Sequence, residues 1–278
     1  MIRESSNDSG LIPAPKRRRH KNFEVKPFPT DCKLIATFTG LDVEIFDPKS
    51  IKILSQCGNY GNNALNYRHR QLFDEEKIPI VSNNDYQRKL RWKKKYLDVK
   101  LSSIEKLIKV EELTVQDPFP ISQSHVLIIE EAMFLQKELN CLEIMDIGGN
   151  LMTTEDLWNE FCDLKHNFVE CYVGYLYLKS KNWVIKSGIK FGGHFMTYKH
   201  GPQYYHASYI VKIVTSPRTC NEHQTNERIA EVTKKTMLYL EVYHPEDIDS
   251  TKYLDNLDKF KVKEVVIQRY DVKERFMS

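Results

Sequence analysis

This sequence of 278 residues has no strong excess of either charge, no clustered cysteines and no long apolar run. Its 41 Lys and Arg face 38 Asp and Glu, so any attraction to nucleic acid must come from local patches. The six cysteines form no C-x-x-C pair and no Cys/His cluster at zinc-ligand spacing, which favours reduced intracellular thiols. No stretch approaches the roughly eighteen apolar residues of a membrane span. We also find no apolar signal-peptide core near the start, and we expect a soluble intracellular protein.

The sequence also has few residues grouped in the way that a metal site requires. A metal nuclease needs clustered carboxylates, and the best groups are Glu130 with Glu131 in a buried-helix pattern and Glu246, Asp247 and Asp249 in a loop. Four scattered histidines have no carboxylate or cysteine partner at ligand spacing, and we interpret them as solvent or loop residues: His166, His194, His200 and His244. The sequence therefore predicts no metal and no cofactor.

What is present fits a globular protein with a polar end. A hydrophobic content of 41% with 11% aromatic residues can build a core in a chain of this length. Residues 1–30 are polar and include the basic run PKRRRHK at 15–21, so we expect a disordered basic tail. Such a run is typical of a nuclear import signal or of a solvated tail. The first interpretation predicts a nuclear protein.

Residues 31–120 predict a small β-containing unit, a basic helix and a linker. KLIATFTG, LDVEIFD and KIPIV have the pattern of short strands. Residues 84–100 predict a helix in which basic side chains surround Trp92 and Tyr96, and residues 101–120 predict a linker. The mixture of basic and aromatic side chains suits RNA contact, whereas a lysine-rich helix is also typical of a solvated face. Both interpretations stay open.

Residues 121–181 predict a helical subdomain. HVLIIEEAMFLQKEL has the length and apolar density of a buried helix that ends at Asn140, with two upstream serines as candidate caps. Thr153 followed by Asp156 matches a capping box at the start of a second helix. A third helix carries an aromatic and leucine stripe, Phe168, Tyr172, Tyr175 and Leu176. Stripes at helical spacing predict core packing.

Residues 182–278 predict a mixed α/β unit. Alternation through WVIKSGIKF, HFMTY and YYHASYIVKIV predicts strands, as it does for MLYLEVY and KVKEVVIQRY. We expect a mobile polar loop at 215–227 and a short helix from Arg228 that carries Ile229, Val232, Thr233 and Thr236 on one side. The fold class is therefore α/β (α+β), in four parts: 1–30, 31–120, 121–181 and 182–278.

Three residue types in this last unit can together cleave RNA. Tyr198 and His206 flank a Gly-Pro turn, and Lys234 and Lys235 follow downstream. Cutting RNA through its own 2′-hydroxyl needs a group that takes that proton, one that protonates the leaving 5′-oxygen and a cation beside the charged phosphorane. Tyrosine, histidine and lysine can supply all three. Alternation along a strand at 204–214 puts His206 away from the apolar face, which leaves catalytic and structural interpretations open.

The segment NWVIKSGIKFGGHFMTYKHGPQYYHASYIVKI resembles the nuclease domain of tRNA-splicing endonucleases. That family's signature is a lysine- and glycine-rich strand, a tyrosine, a Gly-Pro turn, a histidine in a Tyr-His-Ala-Ser context and a later lysine after Val-x. All of these are present here. The resemblance covers roughly residues 34–66 and 124–275 and implies a mixed-sheet nuclease domain of the tRNA-intron-endonuclease type.

The resemblance implies a role for each residue. The family's general base corresponds to Tyr198, its general acid to His206 and its cationic stabiliser to Lys234, with Lys235 as the alternative. The chain is most similar to the eukaryotic subunit that cuts the 5′ splice site. The 3′-site catalytic subunit shares the triad and is the first alternative. A non-catalytic RNA-binding scaffold with the same fold is the second.

The resemblance also implies partners and products. The family binds a bulged base between an arginine upstream of the lysine and a flat group in the last strand, and Arg228 and Tyr270 match these positions. Arg228 lies one residue closer to the lysine than is usual, and Tyr270 stands where tryptophan is common. The implied substrate is precursor tRNA, cut to a 2′,3′-cyclic phosphate and a 5′-hydroxyl. The implied assembly is a heterotetramer with one further catalytic and two structural subunits, away from membranes.

Overall fold

The computed structural model describes residues 28–29, 32–63, 124–215, 219–233 and 235–267, and these residues form two five-stranded sheets with helices. The first sheet contains β1 Leu34–Phe38, β2 Val43–Ile45, β3 Asn62–Asn63, β4 His125–Leu127 and β5 Leu142–Met145. The second contains β6 Val184–Ser187, β7 Phe195–Tyr198, β8 Tyr209–Val214, β9 Thr236–Tyr243 and β10 Lys261–Ile267. The α-helices are α1 Pro48–Ile53, α2 Ile129–Met133, α3 Thr154–Leu164, α4 Phe168–Ser180 and α5 Cys220–Thr233. The predicted α/β (α+β) class is confirmed.

The first sheet has the strand order β3-β4-β2-β1-β5, in which only the β1 and β5 pair is parallel among the described strands. The strands predicted from KLIATFTG and LDVEIFD are confirmed as β1 and β2. In β1, Leu34, Ala36 and Phe38 are buried while Ile35 is 52% exposed, as expected of a strand with one covered face. The basic tail, KIPIV, the helix at 84–100 and the linker at 101–120 lie outside the described residues.

The helix predicted to begin at His125 begins at Ile129 instead. Residues 125–127 form β4, whose backbone pairs with β2 on one side and β3 on the other. A short apolar run does not by itself distinguish strand from helix, because the ladder partners lie elsewhere in the chain. The N-cap residue is Ile128 and not a serine, and the Glu131 carboxylate accepts a hydrogen bond from Ile128 N at 3.2 Å. The helical run continues as a π-helix, and the predicted end at Asn140 is confirmed by its left-handed φ of 48°.

Helix α3 begins with the predicted capping box. Thr153 Oγ1 accepts from Asp156 N at 3.1 Å, and Asp156 Oδ2 accepts from Thr153 N at 3.1 Å. Two backbone N–H groups that the first helical turn leaves open are thereby satisfied. The helix then buries Leu157, Trp158 and Phe161 under the first sheet.

Helix α4 lies between the two sheets. Phe168 and Tyr172 belong to the core beneath the first sheet, whereas Cys171, Tyr175 and Leu178 belong to the core against the second. A helix that is apolar on every side is typical of a fully buried position. The aromatic stripe predicted here is therefore confirmed as core, and it joins the two halves of the molecule.

The second sheet has the order β10-β9-β8-β7-β6, with β8 and β9 parallel and its other neighbours antiparallel. One face packs on α4 through Val211 and Leu238, and the other carries Ile210, Met237 and Tyr239 near α5. Because helices cover both faces, the central strands are apolar on both sides and do not alternate. The last predicted strand is confirmed as β10 through Ile267, and residues 268–278 lie outside the described part.

The mobile loop predicted at 215–227 is largely a helix, because α5 begins at Cys220 and not at Arg228. Thr219 and Glu222 form a capping box: Glu222 Oε2 accepts from Thr219 N at 3.1 Å, and Thr219 Oγ1 accepts from Glu222 N at 3.3 Å. The polar composition of the segment concealed this Thr-x-x-Glu signal. Thr236, assigned to the helix from periodicity, is the first residue of β9.

Strands β4 and β5 lie within the segment predicted as a helical subdomain, residues 121–181, and both join the first sheet. The domain limits themselves stay predictions. Across the parts of the chain that the structure describes, no helix combines the length and the apolar character that crossing a bilayer requires.

Candidate active site

Tyr198 is the last residue of β7, a strand held between β6 and β8. All four residues of β7 are buried, and Tyr198 itself is 8% exposed. It lies opposite Val184 in the ladder with β6. The strand therefore gives Tyr198 a rigid backbone at the point where the chain leaves the sheet.

His206 lies in the loop that returns from Tyr198 to β8. Gly201, with φ +126°, opens a turn in which its carbonyl accepts from Tyr204 N at 3.1 Å and Tyr205 N at 3.2 Å. The ladder resumes where Ser208 N donates to Thr197 O at 2.8 Å. Tyr198 and His206 consequently lie on the two arms of one loop whose ends are hydrogen-bonded together.

The strand predicted from residue 204 begins only at Tyr209, so His206 is an exposed loop residue and not a strand residue. The turn at Gly201 takes the intervening backbone out of the ladder, which explains the difference. Its predicted position away from the apolar side is correct, but strand alternation is not the reason. Exposure in a loop with fixed ends leaves the imidazole accessible to a substrate.

The two lysines follow helix α5. Lys234 lies outside the described residues. Lys235 is half-buried, and its N–H donates to Ala230 O at 3.0 Å. Since β8 and β9 run parallel with Tyr209 opposite Thr236, the start of β9 lies beside the end of the His206 loop.

Only one residue of the predicted RNA-binding pair lies within the part of the chain that the structure describes. Arg228 is exposed on α5, one residue before Ile229, which packs near the second sheet. Tyr270 lies outside the described residues.

All four rival histidines are loop residues, as the sequence predicted, although two of them form polar contacts with other elements. His194 is half-buried; its Nδ1 accepts a hydrogen bond from Ile213 N at 2.9 Å, and burial lowers its pKa to about 4. His244 pairs with Glu170 at 3.1 Å. His166 is exposed in the turn before α4, as predicted, and His200 contacts the ring of Tyr205 at 5.5 Å between centroids.

The first acidic group considered for a metal, Glu130 with Glu131, is buried and engaged elsewhere. Glu130 is 2% exposed and forms an ion pair with Lys165 at 2.5 Å, and Glu131 is 1% exposed. Nowhere in the described ranges do three or more His, Cys, Asp or Glu side chains gather as a metal site would require.

Sequence reasoning missed a buried polar cluster behind the Tyr198 and His206 loop. Lys186, 7% exposed on β6, donates to Gly61 O at 2.5 Å, while Gly61 N donates to Glu131 Oε2 at 3.1 Å. His125 Nε2 donates to Tyr60 O at 2.8 Å. The sequence did contain a signal for this cluster: Glu131 in VLIIEE and Lys186 in WVIK are charged residues next to apolar ones in segments predicted to be buried.

Electrostatics in this cluster are dominated by burial. Burial raises the pKa of Glu131 and lowers the pKa of Lys186, and the attraction between the two opposes both shifts. Lys179 lies over the Tyr60 ring, 4.2 Å from its centroid, and burial lowers its pKa to about 8 although Glu131 acts to raise it. Two N–H donors on Glu131 Oε2 favour the ionised carboxylate, which we take as its native form.

The part of the chain that contains the site matches a known family model. Residues 168–250 match the family described as tRNA intron endonuclease, catalytic C-terminal domain. This range runs from the start of α4 past β9 and includes Tyr198, His206 and position 234.

Individual proteins are similar to the chain as well. The chain is similar to the tRNA-splicing endonuclease subunit Sen2 of Gallus gallus, with 40% identity over 108 residues, which is 38% of this chain and 23% of that protein. Subunit Sen2-1 of Arabidopsis thaliana is 29% identical over 149 residues, 52% of this chain and 63% of the relative. Subunit SEN2 of Saccharomyces cerevisiae is 30% identical over 149 residues, 50% of this chain and 38% of the relative. The chain thus spans less than two thirds of the length of each.

Proposed function

We propose that this chain, whose residues 168–250 match the catalytic C-terminal domain of tRNA intron endonucleases, is an endoribonuclease subunit of the tRNA-splicing endonuclease family that acts on intron-containing precursor tRNA. The observation that carries the proposal is the loop with closed ends that holds buried Tyr198 on one arm and exposed His206 on the other. A phenol and an imidazole so arranged can act on the two sides of one phosphodiester.

In the proposed mechanism the nucleophile is the 2′-hydroxyl next to the cut phosphate, which the substrate itself provides. Tyr198 takes the proton of this hydroxyl, His206 protonates the leaving 5′-oxygen, and Lys234 stabilises the charged phosphorane, with Lys235 as the alternative cation. The products are a 2′,3′-cyclic phosphate and a 5′-hydroxyl. A free tyrosine has a pKa of about 10, so Tyr198 acts with help from a neighbouring cation or by orienting the hydroxyl.

The finer assignment is to the 5′ splice site. This choice rests on the motif resemblance described above, and a 3′-site subunit with the same triad is the competing candidate. We further propose that Arg228 and Tyr270 bind a bulged base, that three other subunits complete a heterotetramer, and that the basic run at 15–21 directs the protein to the nucleus.

The decisive experiment is the His206→Ala variant in the assembled enzyme, with His200→Ala as the matched control. Both histidines lie between Tyr198 and β8, but only His206 has a proposed proton to donate. We expect His206→Ala to lose cleavage by about 100-fold or more at the 5′ site alone, and His200→Ala to cut at both sites. Unchanged cutting by His206→Ala would support the non-catalytic scaffold, and loss at the 3′ site alone would support the competing subunit.

A substrate change tests the mechanism separately. A precursor tRNA with a 2′-deoxynucleotide immediately before the 5′ splice site lacks the proposed nucleophile. We expect the wild-type enzyme to leave that site intact and to cut the other site normally. Cleavage of the deoxy site would mean that water is the nucleophile and would contradict the mechanism.

A further inference from the structure

A short turn from the N-terminal half of the chain lies directly against the His206 loop. Helix α1 continues as a π-helix to Gly58, and the chain then turns at Asn59, whose φ is 55°. A Cβ atom placed on Gly201 would lie 2.9 Å from Nδ2 and 3.1 Å from Cγ of Asn59. The Asn59 amide is therefore packed on the one residue that opens the turn between Tyr198 and His206.

The Asn59 turn is itself held from both halves of the molecule. Gly61 N donates to the Glu131 carboxylate of α2, and Gly61 O accepts from Lys186 of β6. These bonds join residues 70 and 125 positions apart in sequence. Tyr60, which lies between Asn59 and Gly61 in the chain, is 7% exposed, and the Lys179 ammonium lies over its ring. The turn has little freedom to shift relative to the second sheet.

Gly201 in turn determines the path of the loop. Its carbonyl accepts both hydrogen bonds that define the turn, and its φ of +126° is reached at low cost by glycine alone. After His206, the bond from Ser208 N to Thr197 O ties the loop to the sheet. Contact at Gly201 thus anchors the loop on the side that precedes the imidazole.

We propose that Asn59 is a positioning residue for His206: packed on Gly201 and held in place by Glu131 and Lys186 through Gly61, it keeps the imidazole where it can protonate the leaving oxygen. This inference rests on the proposed function. A general acid must lie within hydrogen-bond reach of the atom it protonates, and a displacement of about 1 Å can cost about 100-fold in rate. Removing the Asn59 side chain should therefore slow proton donation more than substrate binding.

The chain offers a matched control for that change. Asn140 has the same place in an equivalent turn, because each asparagine has a positive φ and lies just after a π-helix. In both turns the residue after the asparagine donates its N–H to a leucine carbonyl at 3.0 Å: Tyr60 to Leu54, and Cys141 to Leu135. Glycine accepts this backbone conformation at either site without strain. Asn59→Gly and Asn140→Gly then differ in their relation to Gly201: the three atoms nearest to a Cβ on Gly201 all belong to Asn59, whereas Asn140 is exposed.

The test uses two substrates under single-turnover conditions with the assembled enzyme. One is normal precursor tRNA, and the other has sulfur in place of the 5′-bridging oxygen at the cut phosphate, so that a thiolate leaves without a proton. We expect Asn59→Gly to cut the oxygen substrate about 10- to 100-fold more slowly than Asn140→Gly, with KM within about twofold, and the sulfur substrate at nearly the same rate. His206→Ala should show the same dependence on the leaving group.

The outcomes separate the two proposals. If His206→Ala cuts the oxygen substrate normally, the proposed function fails. If His206→Ala behaves as expected and Asn59→Gly either matches Asn140→Gly or loses equally on both substrates, only the positioning role is overturned. Gly201→Ala perturbs the same contact from the other side and serves if Asn59→Gly does not fold. It should show the same preferential loss on the oxygen substrate, and equal losses would again overturn the role.

Discussion

Replacing Glu131 by Gln tests whether the buried cluster is ionised. The carboxylate is 1% exposed, and Lys186, 7% exposed, donates to the same glycine that Glu131 binds. Glutamine keeps an oxygen for the two N–H donors and removes the charge, while an NH2 group replaces Oε1, which is buried and has no hydrogen-bond partner among the described residues. Leaving a buried charge without its partner typically costs about 3–5 kcal/mol, against a total stability of about 5–15 kcal/mol for a typical domain. We expect a loss in that range at pH 7.

The stability difference between the wild type and Glu131→Gln should also depend on pH. Glu131 acts to raise the pKa of Lys179, which burial lowers to about 8, so in Glu131→Gln that ammonium loses its proton at a lower pH. A lysine whose folded pKa lies below its unfolded pKa makes the protein more stable as pH rises between the two values. The deficit of the variant should therefore shrink between pH 7 and pH 9.

Urea unfolding followed by circular dichroism measures the loss, with Glu130→Gln as the control. Glu130 is 2% exposed on the same helix, but its partner Lys165 is 30% exposed in its side chain and can turn to water when released. We expect about 1–2 kcal/mol for that variant, and partial recovery when Lys186→Met is added to Glu131→Gln. A loss below about 1 kcal/mol for Glu131→Gln, or no greater than for Glu130→Gln, would show that the cluster is neutral and refute the reasoning.

Three further predictions concern single features. Thr153→Ala should lower stability by about 1 kcal/mol in urea unfolding, because it removes the acceptor of Asp156 N, and an unchanged midpoint would contradict the capping role. His194, with its pKa lowered to about 4, should make the wild type lose stability as pH falls from about 6.5 toward 4. His194→Asn should flatten that slope, and an equally steep slope would exclude His194 as its source. Gly201→Ala should cost about 1–3 kcal/mol from backbone strain, and less beside Asn59→Gly; strict additivity in a double-mutant cycle would argue against the Asn59 contact.

Elements whose signals are local could be predicted from the sequence. Strands β1, β2 and β9 follow from short apolar patterns, and the Thr153 capping box follows from two residues three positions apart. Helix α4 follows from its aromatic spacing. In each case the side chains that define the element are neighbours within a turn or a strand, so the sequence contains the information directly.

The errors occurred where a distant partner or a hidden cap determines the backbone. Residues 125–127 became a strand because β2 and β3 lie beside them, and residues 220–227 became helical because Thr219 and Glu222 cap a segment whose composition is typical of a loop. His206 lies outside a strand because Gly201 turns the chain first. Composition and alternation do not report such partners.

The sequence by itself determined the family motif around Tyr198 and His206 and the class of fold, because residue identity and spacing specify both. Only the tertiary structure decided that Glu131 and Lys186 both bind Gly61 and that Asn59 lies against Gly201, since the bonds of Gly61 span 70 and 125 residues of chain. Burial of a charge against its partner is a property of the packed interior, where low dielectric makes the pairing necessary. No local pattern could have shown that an asparagine of the N-terminal half rests on the turn that carries His206.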